Sequence, residues 1–217
     1  PLLSYAPSKD VPSGPFVGMP EREYTKEEIA EVVKQYGQAA RRCKDAGIDI
    51  IEIHAGIGYM VMRFISKYSN HRTDEYGGST ENRCRLLTDI IDEIHRVCGE
   101  DYPILIRYSA DDLMPGGQRS KTSKRSSKLS EARVVAAVHR AGFHEAPRPV
   151  ANQLVPEGEF IYLSKAAKQY TKLPTFLVLV STTSMFAKRS SKMVLAMLLD
   201  ARHWIAEPEI GLKVKEN

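Results

Sequence analysis

IEIHAGIGYMVMRFISKYSNHRTDEYGGSTENR, from Ile51 to Arg83, decides the fold, and the segments on either side of it agree with it. Its first residues complete the run IDIIEIH, Ile48 to His54, which is β-branched and almost wholly apolar. That is the pattern of a parallel strand covered on both faces. Upstream, Thr25 followed by Glu28 forms a capping box, and Ile29, Val32, Val33, Tyr36, Ala40 and Cys43 then share one helical face as far as Gly47. Downstream, the spacing predicts a helix over Thr80 to Cys98, with Leu86, Leu87, Ile90, Ile91, Ile94 and Val97 inward and Gly99 as its stop. The strand YPILIRYS follows, Tyr102 to Ser109. Helix, strand, helix, strand with short links is the rhythm of a parallel α/β sheet.

The rhythm falters after that. SEARVVAAVHRAG, Ser130 to Gly142, has the spacing of an amphipathic helix with a glycine stop. The next segment, FHEAPRPVANQ from Phe143, carries two prolines where a buried strand is needed, so one strand is expected to be degraded or missing. A helix over Glu157 to Tyr170 and strands over Thr175 to Val180 and Lys192 to Leu199 complete the pattern. The interval between those last two strands is short for a crossover helix. No internal repeat is visible, and residues 1–217 read as one domain, with 1–20 an irregular Pro-rich lead-in and 111–130 a basic Ser/Lys-rich loop.

Composition narrows the class. The chain has 217 residues, 42% hydrophobic and 27% charged, a globular balance, whereas a complete (β/α)8 barrel needs roughly 250. No apolar run approaches the ~18 residues of a membrane span, and no basic segment precedes an apolar one at the start, so a cytoplasmic protein without a membrane partner is expected. Cys43, Cys84 and Cys98 lack metal-ligand spacing and read as reduced thiols, with no metal expected. Much of the net charge of +4 is local: Arg119, Lys121, Lys124, Arg125 and Lys128 lie in a stretch without an acid. Such a run is read as a solvated loop; with no aromatic residue interleaved, nucleic acid is not expected as a partner.

The loop HRTDEYGGSTENR, His71 to Arg83, together with NRCRLLTDIIDEIHRVCGEDYPILIRYS after it, resembles the Old Yellow Enzyme family of NADH:flavin oxidoreductases, in particular its 2-enoate and 2,4-dienoyl-CoA reductase-like branch. The likeness runs from about Gly18 to Ser109 and returns, weaker, from about Pro156. It implies a partial (β/α)8 TIM barrel lacking the first strands, in which Ile48 to His54 is the fourth strand, Pro103 to Ser109 the fifth, and Thr175 to Val180 and Met193 to Leu199 the seventh and eighth.

The resemblance also implies roles for particular residues. His54 would hydrogen-bond the carbonyl oxygen of an activated alkene, and Ile57 stands in the substrate-binding position where the family has a second donor, although isoleucine cannot donate. Tyr59 would be the general acid that protonates the alkene, since a phenol keeps its proton at neutral pH until a strong base develops. Arg107 would lie along the edge of the flavin; from the residues alone, an ion pair with Glu52 is the alternative, because a guanidinium on an apolar strand needs a partner. Arg202 and Ser181 would contact the FMN phosphate, although Ala201 and the Ser181, Thr182, Thr183 run replace the family's glycines. Arg72 and Asp74 are expected to tie the signature loop by charge-assisted bonds, with Gly77 and Gly78 giving it a tight turn.

The implied activity is FMN-dependent: hydride passes from NADH or NADPH through the flavin to a small-molecule enone or enoyl substrate. The alternative is a catalytically inactive remnant or interaction module of the family. A homo-oligomer or a complementing chain is also open, because an incomplete sheet exposes its edges.

Overall fold

A computed structural model describes residues 4–9, 21–119, 133–146, 159–169, 171–178 and 196–199. In chain order its elements are β1 (Ser4–Ala6), β2 (Glu21–Glu23), α1 (Lys26–Asp45), β3 (Ile51–Ala55), α2 (Met60–Ile65), α3 (Thr80–Cys98), β4 (Ile104–Asp111), β5 (Ala136–Ala141), α4 (Ile161–Ala167), β6 (Thr175–Val178) and β7 (Ala196–Leu199). The capping box forms as its spacing predicts: Glu28 N donates to Thr25 Oγ1 at 3.2 Å, and Thr25 N donates to Glu28 Oε2 at 2.9 Å. Ser79 caps α3 without the reciprocal bond, its hydroxyl accepting from Asn82 N at 3.2 Å, and Gly99 ends that helix at φ 97°. The two helices pack closely because Gly37 has no side chain: a Cβ there would lie 2.7 Å from Glu93 Cγ.

Strands β3 to β7 form a five-stranded sheet in sequence order, every neighbouring pair parallel. This is part of an α/β barrel; eight strands close such a barrel. Register sorts the side chains by face. Ile53, Ile104, Ile106 and Tyr108 are buried on the face that meets Leu86, Leu87, Ile90, Ile91 and Ile94 of α3. Each of those apolar side chains contributes roughly 1.5–3 kcal/mol by leaving water. The opposite face carries Glu52, His54, Leu105 and Arg107, none of them fully buried. This half-open inner face positions the site.

Several expectations are corrected. The missing strand is present: Ala136–Ala141 is β5, paired with both β4 and β6, where a helix was expected over Ser130 to Gly142. Ala136, Ala137 and Val138 are buried, and a central strand covered on both faces shows no alternation that would separate it from a helix. Phe143 to Ala146 is the turn after that strand. β3 begins at Ile51, leaving Ile48 and Ile50 48% and 44% exposed ahead of it. The lead-in is not wholly irregular, because Ser4–Ala6 pairs in parallel with Glu21–Glu23. α2 was not anticipated. The basic run beyond Arg119 and the interval between β6 and β7 lie outside the described residues.

Candidate active site at the carboxyl ends of the strands

In a parallel sheet of this kind reactive side chains gather where the strands end. His54 lies near the end of β3, and Tyr59 stands at the N-cap of α2 five residues on. Their rings meet edge to face, with centroids 5.4 Å apart and planes at 61°. A third ring joins them. His144, in the turn after β5, lies 4.9 Å from Tyr59 at 75°, so the phenol ring contacts two imidazoles. Tyr59 is 43% exposed and therefore within reach of a ligand, while His144 Nε2 is buried and makes no hydrogen bond among the described residues. Sequence reading missed His144 because FHEAPRP looked like a broken strand. The available signal was a histidine just past an apolar run and a glycine, in the turn that follows β5.

Ile57 belongs to the same cluster through its backbone. Its φ is 61°, in the left-handed region that a β-branched residue rarely occupies. Ile57 N donates to Ser109 Oγ at 3.2 Å, and Ile57 O accepts from His144 N at 3.2 Å. The side chain offers no donor; the imidazole of His144 is the second polar ring in contact with Tyr59.

Arg107 is the Cα partner of His54 across β3 and β4. Its Nε donates to Glu52 Oε1 at 2.8 Å, and Nη2 lies 2.8 Å from the same oxygen, with both side chains about one third exposed. The ion pair weighed from sequence therefore exists, at a half-exposed site rather than a buried one. It does not exhaust the guanidinium, which carries five N–H donors. The inner face also fits a planar anionic group: Arg107, His54 and Leu105 offer a fixed cation, a ring donor and an apolar surface side by side. Ser181 and Arg202, the expected phosphate contacts, lie outside the described residues.

The signature loop supports this end of the sheet. Arg72 donates from Nε to Asp74 Oδ1 at 3.0 Å and from Nη2 to Oδ2 at 2.6 Å, and from Nη1 to the carbonyls of Pro7 at 3.1 Å and Tyr24 at 2.8 Å. Its guanidinium holds the Asp74 carboxyl below the usual range. Gly78 adopts φ 76°, and a Cβ on Gly77 would fall 2.1 Å from Arg72 O. Below the site, Asp112 is buried and accepts from Ser66 Oγ and from Gln118 N; burial pushes its carboxyl up to about 6. Cys84 and Cys98 are buried and Cys43 half-buried, all as thiols. No group of three metal-ligating side chains occurs among the described residues. No helix there is long and apolar enough to cross a membrane.

Comparison with known proteins then settles the lineage. The model of the NADH:flavin oxidoreductase / NADH oxidase family matches residues 8–217. The chain belongs to this family. The family is one of flavin-dependent oxidoreductases named for their use of NADH. An NADH oxidase of Thermoanaerobacter brockii is 36% identical over 204 residues, which are 93% of this chain and 31% of that protein. Among solved structures, a 2-naphthoyl-CoA reductase in complex with 2-naphthoyl-CoA superposes with a TM-score of 0.88 at 30% identity, covering 98% of this chain and 33% of the other. An Old Yellow Enzyme homologue from Zymomonas mobilis gives 0.78 at 25% identity, covering 99% and 61%. The chain thus spans about a third of the T. brockii oxidase and of the naphthoyl-CoA reductase.

Proposed function

We propose that this chain carries the substrate-activating part of an FMN-dependent NAD(P)H oxidoreductase that reduces the alkene of an α,β-unsaturated carbonyl or enoyl compound. The observation that carries the reading is the row His54, Tyr59, His144 at the open end of the sheet, one strand from Arg107. Bound FMN would supply hydride to one alkene carbon. The chain's own residues do the rest. His54 and His144 donate hydrogen bonds to the substrate oxygen, which gains charge as the alkene is reduced, and such donors matter most where water is scarce. Tyr59 gives its hydroxyl proton to the second alkene carbon, so that one hydride and one proton saturate the bond; solvent then restores the phenol. Arg107, held by Glu52, would face the flavin ring, and Ser181 and Arg202 its phosphate.

A small-molecule enone and an enoyl thioester both fit this chemistry. The thioester gains weight from the naphthoyl-CoA bound by the structural relative. An inactive remnant of the family remains the second reading, favoured by the apolar Ile57. Anaerobic assay of the FMN-loaded chain with NADH or NADPH and a panel of enones and enoyl-CoA thioesters separates the two. Alkene-dependent oxidation of the nicotinamide that falls about 10²-fold or more in Tyr59→Phe supports the reductase. Flavin reduction without any alkene turnover, across the panel, would leave the remnant reading.

A further inference from the structure

We propose that Phe143 is a positioning residue: its ring, seated on Gly58, sets the spacing at which His144 meets Tyr59. The inference rests on the reading of His144 and Tyr59 given above.

The geometry is a short ladder between two loops. Gly58 and Tyr59 are consecutive on the loop after β3, and Phe143 and His144 are consecutive on the turn after β5. One rung below, Ile57 and Phe143 form a parallel bridge, and His144 N donates to Ile57 O at 3.2 Å, which fixes the backbone register. At the first rung, a Cβ on Gly58 would lie 2.5 Å from Phe143 Cδ1 and 3.2 Å from Cγ, so the phenyl ring rests directly against bare backbone. The second rung is the Tyr59–His144 pair at 4.9 Å. A change in how far Phe143 stands from Gly58 therefore moves the next pair along.

Phe143 has little freedom to shift. It is 1% exposed, it meets the Tyr68 ring edge to face at 5.3 Å, and it shares a buried cluster with Met62, Met114 and Ala146. Its backbone is tied as well: Phe143 N donates to Asp112 O at 3.2 Å and Gly142 N to Asp111 O at 2.8 Å. Gly58 N is turned toward Met62 Sδ at 2.9 Å. The left-handed backbone of Ile57 presents its carbonyl to His144 N, a strained conformation at a point where loop spacing is decided.

The test reads geometry before activity. In the full chain with 13C-labelled histidine, the His144 ring resonances, assigned through His144→Gln, should be displaced by the neighbouring Tyr59 ring and should relax in Tyr59→Leu. Phe143→Leu, which keeps an apolar side chain, is expected to relax them in the same direction while the His95 signals on α3 stay in place. Phe143→Tyr should preserve the displacement. A folded Phe143→Leu with wild-type His144 resonances would overturn the proposal, as would an equal shift at His95, which marks general loosening. In the FMN-loaded chain, Phe143→Leu is expected to lower kcat about 10- to 100-fold with KM changed far less, because small misplacements of reacting groups cost rate. An equal loss in kcat/KM through KM alone would contradict positioning. Displaced His144 resonances in a wild-type chain that turns over no alkene would sink the proposed function and leave the spacing role of Phe143 standing.

Discussion

Ile57 concentrates the tension in this site. A β-branched residue at φ 61° costs about 1–2 kcal/mol relative to an ordinary backbone, whereas asparagine tolerates that region because its short amide bonds locally. Ile57→Asn is therefore expected to raise the unfolding free energy by roughly 1 kcal/mol in urea titration. The same change restores a donor near Tyr59 and should raise alkene turnover, where one donor is typically worth about 10²-fold. Unchanged stability would mean that the backbone relaxes without a preference for the side chain. Asp112 gives a pH test. Its carboxyl titrates near 6 in the folded chain against about 3.9 when unfolded, so the folded state holds the proton more tightly. Its contribution is thus fully present below about pH 4 and is lost as pH rises through 6, by on the order of 3 kcal/mol. The stability of the native chain relative to Asp112→Asn should fall by that order between pH 4 and pH 7. A pH-independent difference would refute the buried, protonatable Asp112. At this scale His54 was singled out because a histidine closing an apolar strand stands out, and Tyr59 through the family resemblance; the two rings do lie side by side. His144 was not, because the strand before it was read as a helix and Pro147 and Pro149 made its own segment look like a degraded strand.

Elements were read well where local chemistry dictates them. The Thr25 capping box, the Gly99 stop and the apolar faces of α1 and α3 follow from spacing alone, and they agree with the packing; the Ser79 cap was not read. β5 was misread because its alanines favour a helix locally, while pairing with β4 and β6 on both sides overrides that preference. α2 escaped notice because a six-residue helix shows less than two turns of periodicity. The signature loop yields the element-scale prediction. Gly77→Ala drives a methyl group onto the Arg72 carbonyl, so it should cost roughly 1–3 kcal/mol and loosen the Arg72 bonds to Pro7 and Tyr24. Thermal unfolding measures the cost; an unshifted midpoint would show that the turn has room to yield.

Across the molecule, the sheet has an inner face that is polar and half open and an outer face that is dry. Glu52, His54 and Arg107 occupy the first, while Ile53, Ile106 and Tyr108 occupy the second. A complete barrel would fill its interior with side chains in layers, whereas this five-stranded sheet leaves the Arg107 guanidinium about one third exposed beside His54. Among the described residues β3 pairs only with β4 and β7 only with β6, which leaves two sheet edges for other strands. The partial barrel was legible from the βα rhythm and the family resemblance, but the arrangement of its inner face was not, because Arg107 on an apolar strand fits both an ion pair and a flavin contact. Titration of FMN into the purified chain, followed by flavin fluorescence and size exclusion, tests that face most directly. The expected result is saturable binding to a single species, weakened about tenfold or more in Arg107→Ala, since hydrogen bonds to charged groups are worth about 1.5–3 kcal/mol. Absence of binding, or an affinity indifferent to Arg107, would contradict a flavin site on this face.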